Sequence, residues 1–148
     1  DSMIEIFWGG FLTILTLLAW MGQLIYAISP ALAVSFGLGE AESDVDTAFY
    51  IDARGEAIWD SLIIWTLPVA GILLMLQHPY WPYFALVGGG SYLYFAGRNL
   101  TTRYMMQRHG IRIGTSTNIK MGYLFITLWG LAALITIVLA VSALQFKV

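Results

Sequence analysis

Asp52, Glu56 and Asp60 stand four residues apart, and the last of them runs directly into apolar sequence. Four-residue spacing returns to the same side of a helix, so these carboxylates share one face. An ionised acid at the lip of a bilayer is costly unless a partner answers it. The best candidate partner is Arg98, preceded by Tyr94 and followed by Asn99 and Arg103. Such a set can bind an ion or ligand, pass a proton, hold an anionic headgroup, or clamp two helices. We expect an Asp60–Arg98 contact, with Glu56 and Asn99 in the same network and Arg103 meeting Glu56 or Asp52. A plain helical hairpin would place the charges similarly, because acids at a helix start and bases at a helix end complement the macrodipole.

The elements that must carry these residues follow from composition. The chain has 148 residues, 59% of them hydrophobic and 11% charged, against about 25% charged in soluble domains. A helix needs about 20 apolar residues to cross the hydrocarbon. Four segments qualify, at about 6–29, 58–77, 83–103 and 120–146, with polar loops at 40–57 and 104–119. The expected fold is an all-α integral membrane protein. Residues 1–148 form a single transmembrane domain of four transmembrane helices in an antiparallel bundle, with both termini on the same side. The third segment is the least obvious. Its uncharged part, from Tyr83 to Gly97, covers roughly 22 Å, short of a core of about 30 Å. Its helix is therefore expected to continue through Arg98 to Arg103.

The pairing of acids and arginines rests on depth. The turn His78-Pro79-Tyr80-Trp81-Pro82 is short and stiff, which makes segments two and three antiparallel neighbours. Asp60 lies roughly 27 Å of helix before that turn and Arg98 roughly 24 Å after it. Pro30 should end or kink the first helix. Pro68 should bend the second, its freed carbonyl satisfied by a neighbouring helix or by a hydroxyl such as that of Thr66. Gly88, Gly89 and Gly90 fall mid-membrane and suit close helix contact, a hinge or a wall where a ligand touches backbone. Gln23, Thr13 and Thr16 read as hydrogen bonds between helices.

Several functions are disfavoured. A formal charge of −2 offers no footprint for nucleic acid. The chain has no Cys, and no zinc-protease helix, phosphate loop, dinucleotide fingerprint or serine triad occurs. His78 and His109 both fall in turns or loops, so no metal and no other cofactor is expected. No catalytic residue stands out, and the reading leans away from an enzyme. The first apolar stretch follows Glu5 rather than a basic leader, unlike a secretory signal. Glu40, Glu42, Asp44 and Asp46 read as a solvated acidic loop that can also dock on the basic stretch Arg103–Lys120.

Basic residues give sidedness. Arg54, Arg98, Arg103, Arg108, Arg112 and Lys120 group on the face of the two polar loops, against Lys147 alone on the other. Lys and Arg favour the cytoplasmic side, so the loops are expected inside and both termini outside, in the inner membrane of a cell. The partners expected are the lipid bilayer and either further copies of the chain, as a homo-oligomer, or a larger membrane complex. The working expectation is a small oligomeric channel or transporter with its polar site at the cytoplasmic end of helices two and three. The alternatives are an accessory subunit of a membrane complex and a lipid-binding or lipid-modifying protein.

Overall fold

A computed structural model describes residues 2–146; Lys147 of the sidedness count lies outside them. The described chain is helical apart from its connections. In order it comprises α1 (Ser2–Ile28), α2 (Pro30–Ser35), a 3-10 turn over Glu42–Asp44, α3 (Thr47–Ile63), α4 (Thr66–Met75), α5 (Trp81–Arg108) and α6 (Ser116–Gln145). Three helical stretches are long and apolar enough to cross a membrane: Ser2–Ile28, Thr47–Met75 and Ser116–Gln145.

Pro30 starts a new short helix rather than kinking the old one. It occupies the first turn of α2, where its missing N–H costs nothing. Ser29 caps that turn, its hydroxyl accepting from the Leu32 N–H at 3.3 Å. Pro68 acts one turn upstream of itself. Lacking an N–H, it leaves the Ile64 carbonyl without its usual donor, and the helix breaks at Ile64–Trp65 between α3 and α4. The Ile64 carbonyl accepts instead from the Leu67 N–H at 3.4 Å, and the Thr66 hydroxyl donates to the neighbouring Ile63 carbonyl at 2.8 Å rather than to the freed one.

Three boundaries differ from those expected. Residues 47–57, read from the sequence as loop, are the first turns of α3. Their apolar positions recur at helical spacing, and Phe49 and Ala57 are buried; low hydropathy marks polar helix and loop alike. The second polar loop likewise shrinks from both ends, because α5 continues to Arg108 and α6 begins at Ser116.

The core lies where α1, α4, α5 and α6 meet, and it is built from small residues as much as large ones. Gly88 abuts the α4 backbone, where a Cβ would lie 2.5 Å from the Leu67 nitrogen; at Gly89 a Cβ would lie 2.6 Å from Ile137 Cγ1 on α6. Gly90 faces open space. Gly9 of α1 and Gly71 of α4 form another crossing, at which a Cβ on Gly9 would lie 2.7 Å from the Gly71 carbonyl oxygen. Polar groups in this core stay bonded. Trp8 donates to the Thr136 hydroxyl at 3.0 Å, Trp129 to the Leu15 carbonyl at 2.8 Å, and Tyr92 to the Thr16 carbonyl at 2.7 Å. Thr13 and Thr16 donate within their own helix, to Gly9 and Leu12, rather than between helices as expected.

The two polar connections clasp each other. Val45 and Ile113 form an antiparallel bridge, and Asp46 accepts from the backbone and side chain of Arg112 at 2.8 and 3.0 Å. Val45, Phe49 and Ile113 bury a small apolar cluster beneath it. Asn118, in the first turn of α6, donates to Glu40 at 3.0 Å.

Candidate functional site

The acidic face of α3 meets the basic face of α5. Arg98 donates to both oxygens of Asp52, at 2.6 and 3.2 Å, and its Nη1 lies 3.5 Å from Glu56 Oε2. The fork-on-carboxylate geometry with Asp52 is the stronger kind of ion pair. Glu56 Oε1 accepts from Asn99 Nδ2 at 2.5 Å, and Arg103 Nε donates to Asn99 Oδ1 at 3.4 Å. The Arg103 guanidinium lies over the Phe49 ring, 5.1 Å from its centre. Asp52, Arg98, Glu56, Asn99 and Arg103 thus form one continuous chain of polar contacts.

The expected Asp60–Arg98 pair is not made. Arg98 reaches Asp52, two turns nearer the polar loops, and Asp60 Oδ2 instead accepts from Gln23 Nε2 of α1 at 2.8 Å. Two causes combine. The stretch from Asp60 to His78 is not one straight helix, because it breaks at Ile64–Trp65. A long arginine also extends towards the polar end of its helix. Nor does Arg103 bond directly to Glu56 or Asp52; Asn99 stands between it and Glu56.

Glu56 sits on a wall between two spaces. On one side is a groove between α3 and α5, lined by Asp52, Glu56, Asp60, Arg98, Tyr94 and Gly90, among others. On the other is a half-open interior cavity of about 350 Å³ among α1, α3, α5 and α6, whose polar members include Gln23, Glu40, Glu56, Asn99 and Arg103. Glu56 and Phe95 line both. Tyr94 is 74% exposed and belongs to the groove only. Pro30, Pro68, Gly88 and Gly89 shape the helices and carry no polar group into either space.

The charges of the groove do not balance. Three carboxylates share it with one guanidinium, which is engaged by Asp52 and Glu56. Among the described residues Asp60 has no cationic partner within 4 Å, and its Oδ1 accepts no hydrogen bond, although the residue is only 6% exposed. Among the described residues no group of three or more His, Asp or Glu side chains is placed to hold a metal ion.

The loop clasp is a separate electrostatic unit. The backbone N–H and guanidinium of Arg112 hold the Asp46 carboxyl below its ordinary range. Burial pushes the Glu40 carboxyl up, opposed by the hydrogen bond from Asn118. Gln23, Glu40, Phe49 and Asn118 join the polar region without having been singled out as site residues. No local spacing marks them, because Gln23 and Asn118 come from helices far from the acidic row in sequence. Arg54 is tied elsewhere, donating to Tyr50 and to the Ala27 carbonyl at 3.4 and 3.3 Å.

No protein-family model matches this chain, no curated protein matches it, and no solved structure matches it.

Proposed function

We propose that this chain is a small membrane transporter in which Asp60 alternately carries and releases a proton, with the Glu56–Asn99–Arg98 contacts forming the gate between groove and cavity. The observation that supports the reading is the surplus of carboxylate in the groove. An ionised Asp within a spanning segment is costly unless a partner answers it. A carboxyl in that position without a cation lowers this cost by taking up a proton or a passing cation. Asp60 has the single polar tether to Gln23 that would hold it in place for either.

In this reading α5 is a fourth crossing. The clasp between Val45 and Ile113 supports it. If α3 and α4 carry the chain across the membrane, the chain must return before Ile113, and α5 is the helix available. The bundle is then antiparallel, with both termini together and the clasped loops on the cytoplasmic side. Because four helices are few to enclose a path, we take the working unit to be a homo-oligomer.

The test is proton movement in proteoliposomes containing a pH-sensitive dye. Wild-type protein is expected to dissipate an imposed pH gradient or couple it to solute movement, and Asp60→Asn to abolish this. Wild-type vesicles as tight as empty ones, or Asp60→Asn running at the wild-type rate, would overturn the reading. The first of these results would favour an accessory subunit.

A further inference from the structure

We propose that the interior cavity is a second binding site, one that takes a neutral single-chain amphiphile whose flat head carries carbonyl acceptors, the chemistry of a membrane quinone. It is distinct from the groove and does not depend on proton transport there.

Two side chains on this cavity keep hydrogen-bonding groups without partners among the described residues. Arg103 uses only its Nε, towards Asn99 at 3.4 Å; among the described residues its two terminal nitrogens make no hydrogen bond. The Tyr26 hydroxyl likewise makes none, although the residue is only 5% exposed. Both residues line the cavity. Glu56 is served by Asn99 and Arg98, whereas Glu40 takes a single bond, from Asn118, on Oε2. The Arg103 terminal nitrogens and the Tyr26 hydroxyl are donors without acceptors among the described residues, and a ligand that engages them must bring acceptors.

Charge and shape narrow the class. Two carboxylates, Glu40 and Glu56, face one guanidinium across this cavity. An anionic head would add a third negative charge to a space of low dielectric, where such charges are poorly screened. A cationic head would be repelled by the Arg103 guanidinium and would leave its donors and the Tyr26 hydroxyl without an acceptor. A neutral carbonyl accepts from Arg103 and Tyr26 without either cost. The remaining wall is apolar, and Phe49, Phe95, Phe125 and Trp129 bring aromatic rings to it, which suits a flat head lying against rings. A volume of about 350 Å³ lies at the small end of ligand sites, which run from about 300 to 1,000 Å³; it suits one head and one chain. The rim supplies the entrance. Leu18 of α1 and Met121 of α6 border the cavity and are 44% and 46% exposed, so an apolar tail can leave between these helices into lipid.

The experiment is a titration of the full chain in lipid nanodiscs with decylubiquinone, read by tryptophan fluorescence. Saturable quenching is expected. Trp129→Phe should remove most of the saturable part, and Trp65→Phe, on the outer surface, should retain it. Arg103→Gln should weaken apparent affinity about 10- to 100-fold, the loss of a charge-assisted hydrogen bond. Gly122→Leu gives an independent check, since a Cβ there already lies 3.4 Å from Arg103 Nη1; the larger side chain should abolish saturation while Arg103 remains. Quenching that never saturates, or that is unchanged in both Arg103→Gln and Gly122→Leu, would overturn the site. Oleate displacing decylubiquinone with higher affinity would overturn the neutral-head assignment.

Discussion

At the scale of single residues, Asp60 and Arg98 should behave oppositely despite belonging to one polar cluster. Arg98 answers two acids at once. Arg98→Ala strands Asp52 and Glu56, and removing one member of a buried pair costs about 3–5 kcal/mol. The Arg98 and Asp52 side chains are 34% and 27% exposed, so a discounted loss of about 1–3 kcal/mol is expected. It should appear as a lower thermal unfolding midpoint in detergent. Asp60→Asn removes a carboxylate that has no cation within 4 Å among the described residues, and the new amide oxygen can still accept from Gln23. Its midpoint should match or exceed that of wild type by up to about 1 kcal/mol. A large loss on Asp60→Asn would mean that its charge is answered by something the hydrogen bond to Gln23 does not reveal. Residue types and spacing made the acid–arginine cluster legible in the sequence, but the pairing within it was not. Which acid Arg98 reaches depends on side-chain extension and on a helix break, and neither is a property of spacing.

At the scale of elements, the triple glycine separates into three roles. Gly88 and Gly89 let α5 lie against α4 and α6, whereas Gly90 faces the groove with nothing within 4 Å of where a Cβ would stand. Gly88→Ala must push its Cβ into the Leu67 backbone and should cost about 1–3 kcal/mol. Gly90→Ala should gain about 0.5–1 kcal/mol from helix propensity, and the pair of melting curves checks both. The loop clasp carries its own pH dependence. The Asp46 carboxyl is lowered by Arg112, so its contribution is present above an ordinary carboxylate pKa of about 4 and is lost as pH falls through the lowered value. Asp46→Asn should therefore lower the unfolding midpoint at pH 7 and converge with wild type in strong acid. Glu40 is raised by burial, and its sign is reversed: its contribution is full below the ordinary value and lost as pH rises through the raised one. Glu40→Gln should raise the midpoint at pH 7 and change little near pH 4. Charge alone allows the acidic loop to dock on the basic stretch but equally suits a solvated loop. The register of Asp46 with Arg112 was not legible in the sequence, because it follows from the Val45–Ile113 bridge between residues remote in sequence.

At the scale of the whole molecule, the apolar stretches announced a helical chain with three stretches long and apolar enough to cross a membrane, since about 20 apolar residues leave a chain few options other than a spanning helix. α5 was the hard case in both sequence and structure. It is 28 residues long yet carries Arg98, Asn99, Thr101, Thr102 and Arg103 in its second half, so its length suits a crossing better than its hydropathy does. The clasp makes the question testable. Val45 and Ile113 touch, so they share one side of any membrane, and the 78–82 turn must lie on the other side if both α3–α4 and α5 cross. The chain contains no cysteine, which allows clean single-site labelling. Ser43→Cys and Thr115→Cys flank the clasp, and His78→Cys marks the opposite turn; all three positions are exposed. In intact cells a membrane-impermeant maleimide should label His78→Cys from outside, and should label the other two only after the membrane is opened. Labelling of all three from the same side would mean that the chain does not cross between the clasp and the turn. The groove would then face water rather than lipid, and a carboxylate without a cation would need no proton to be stable there.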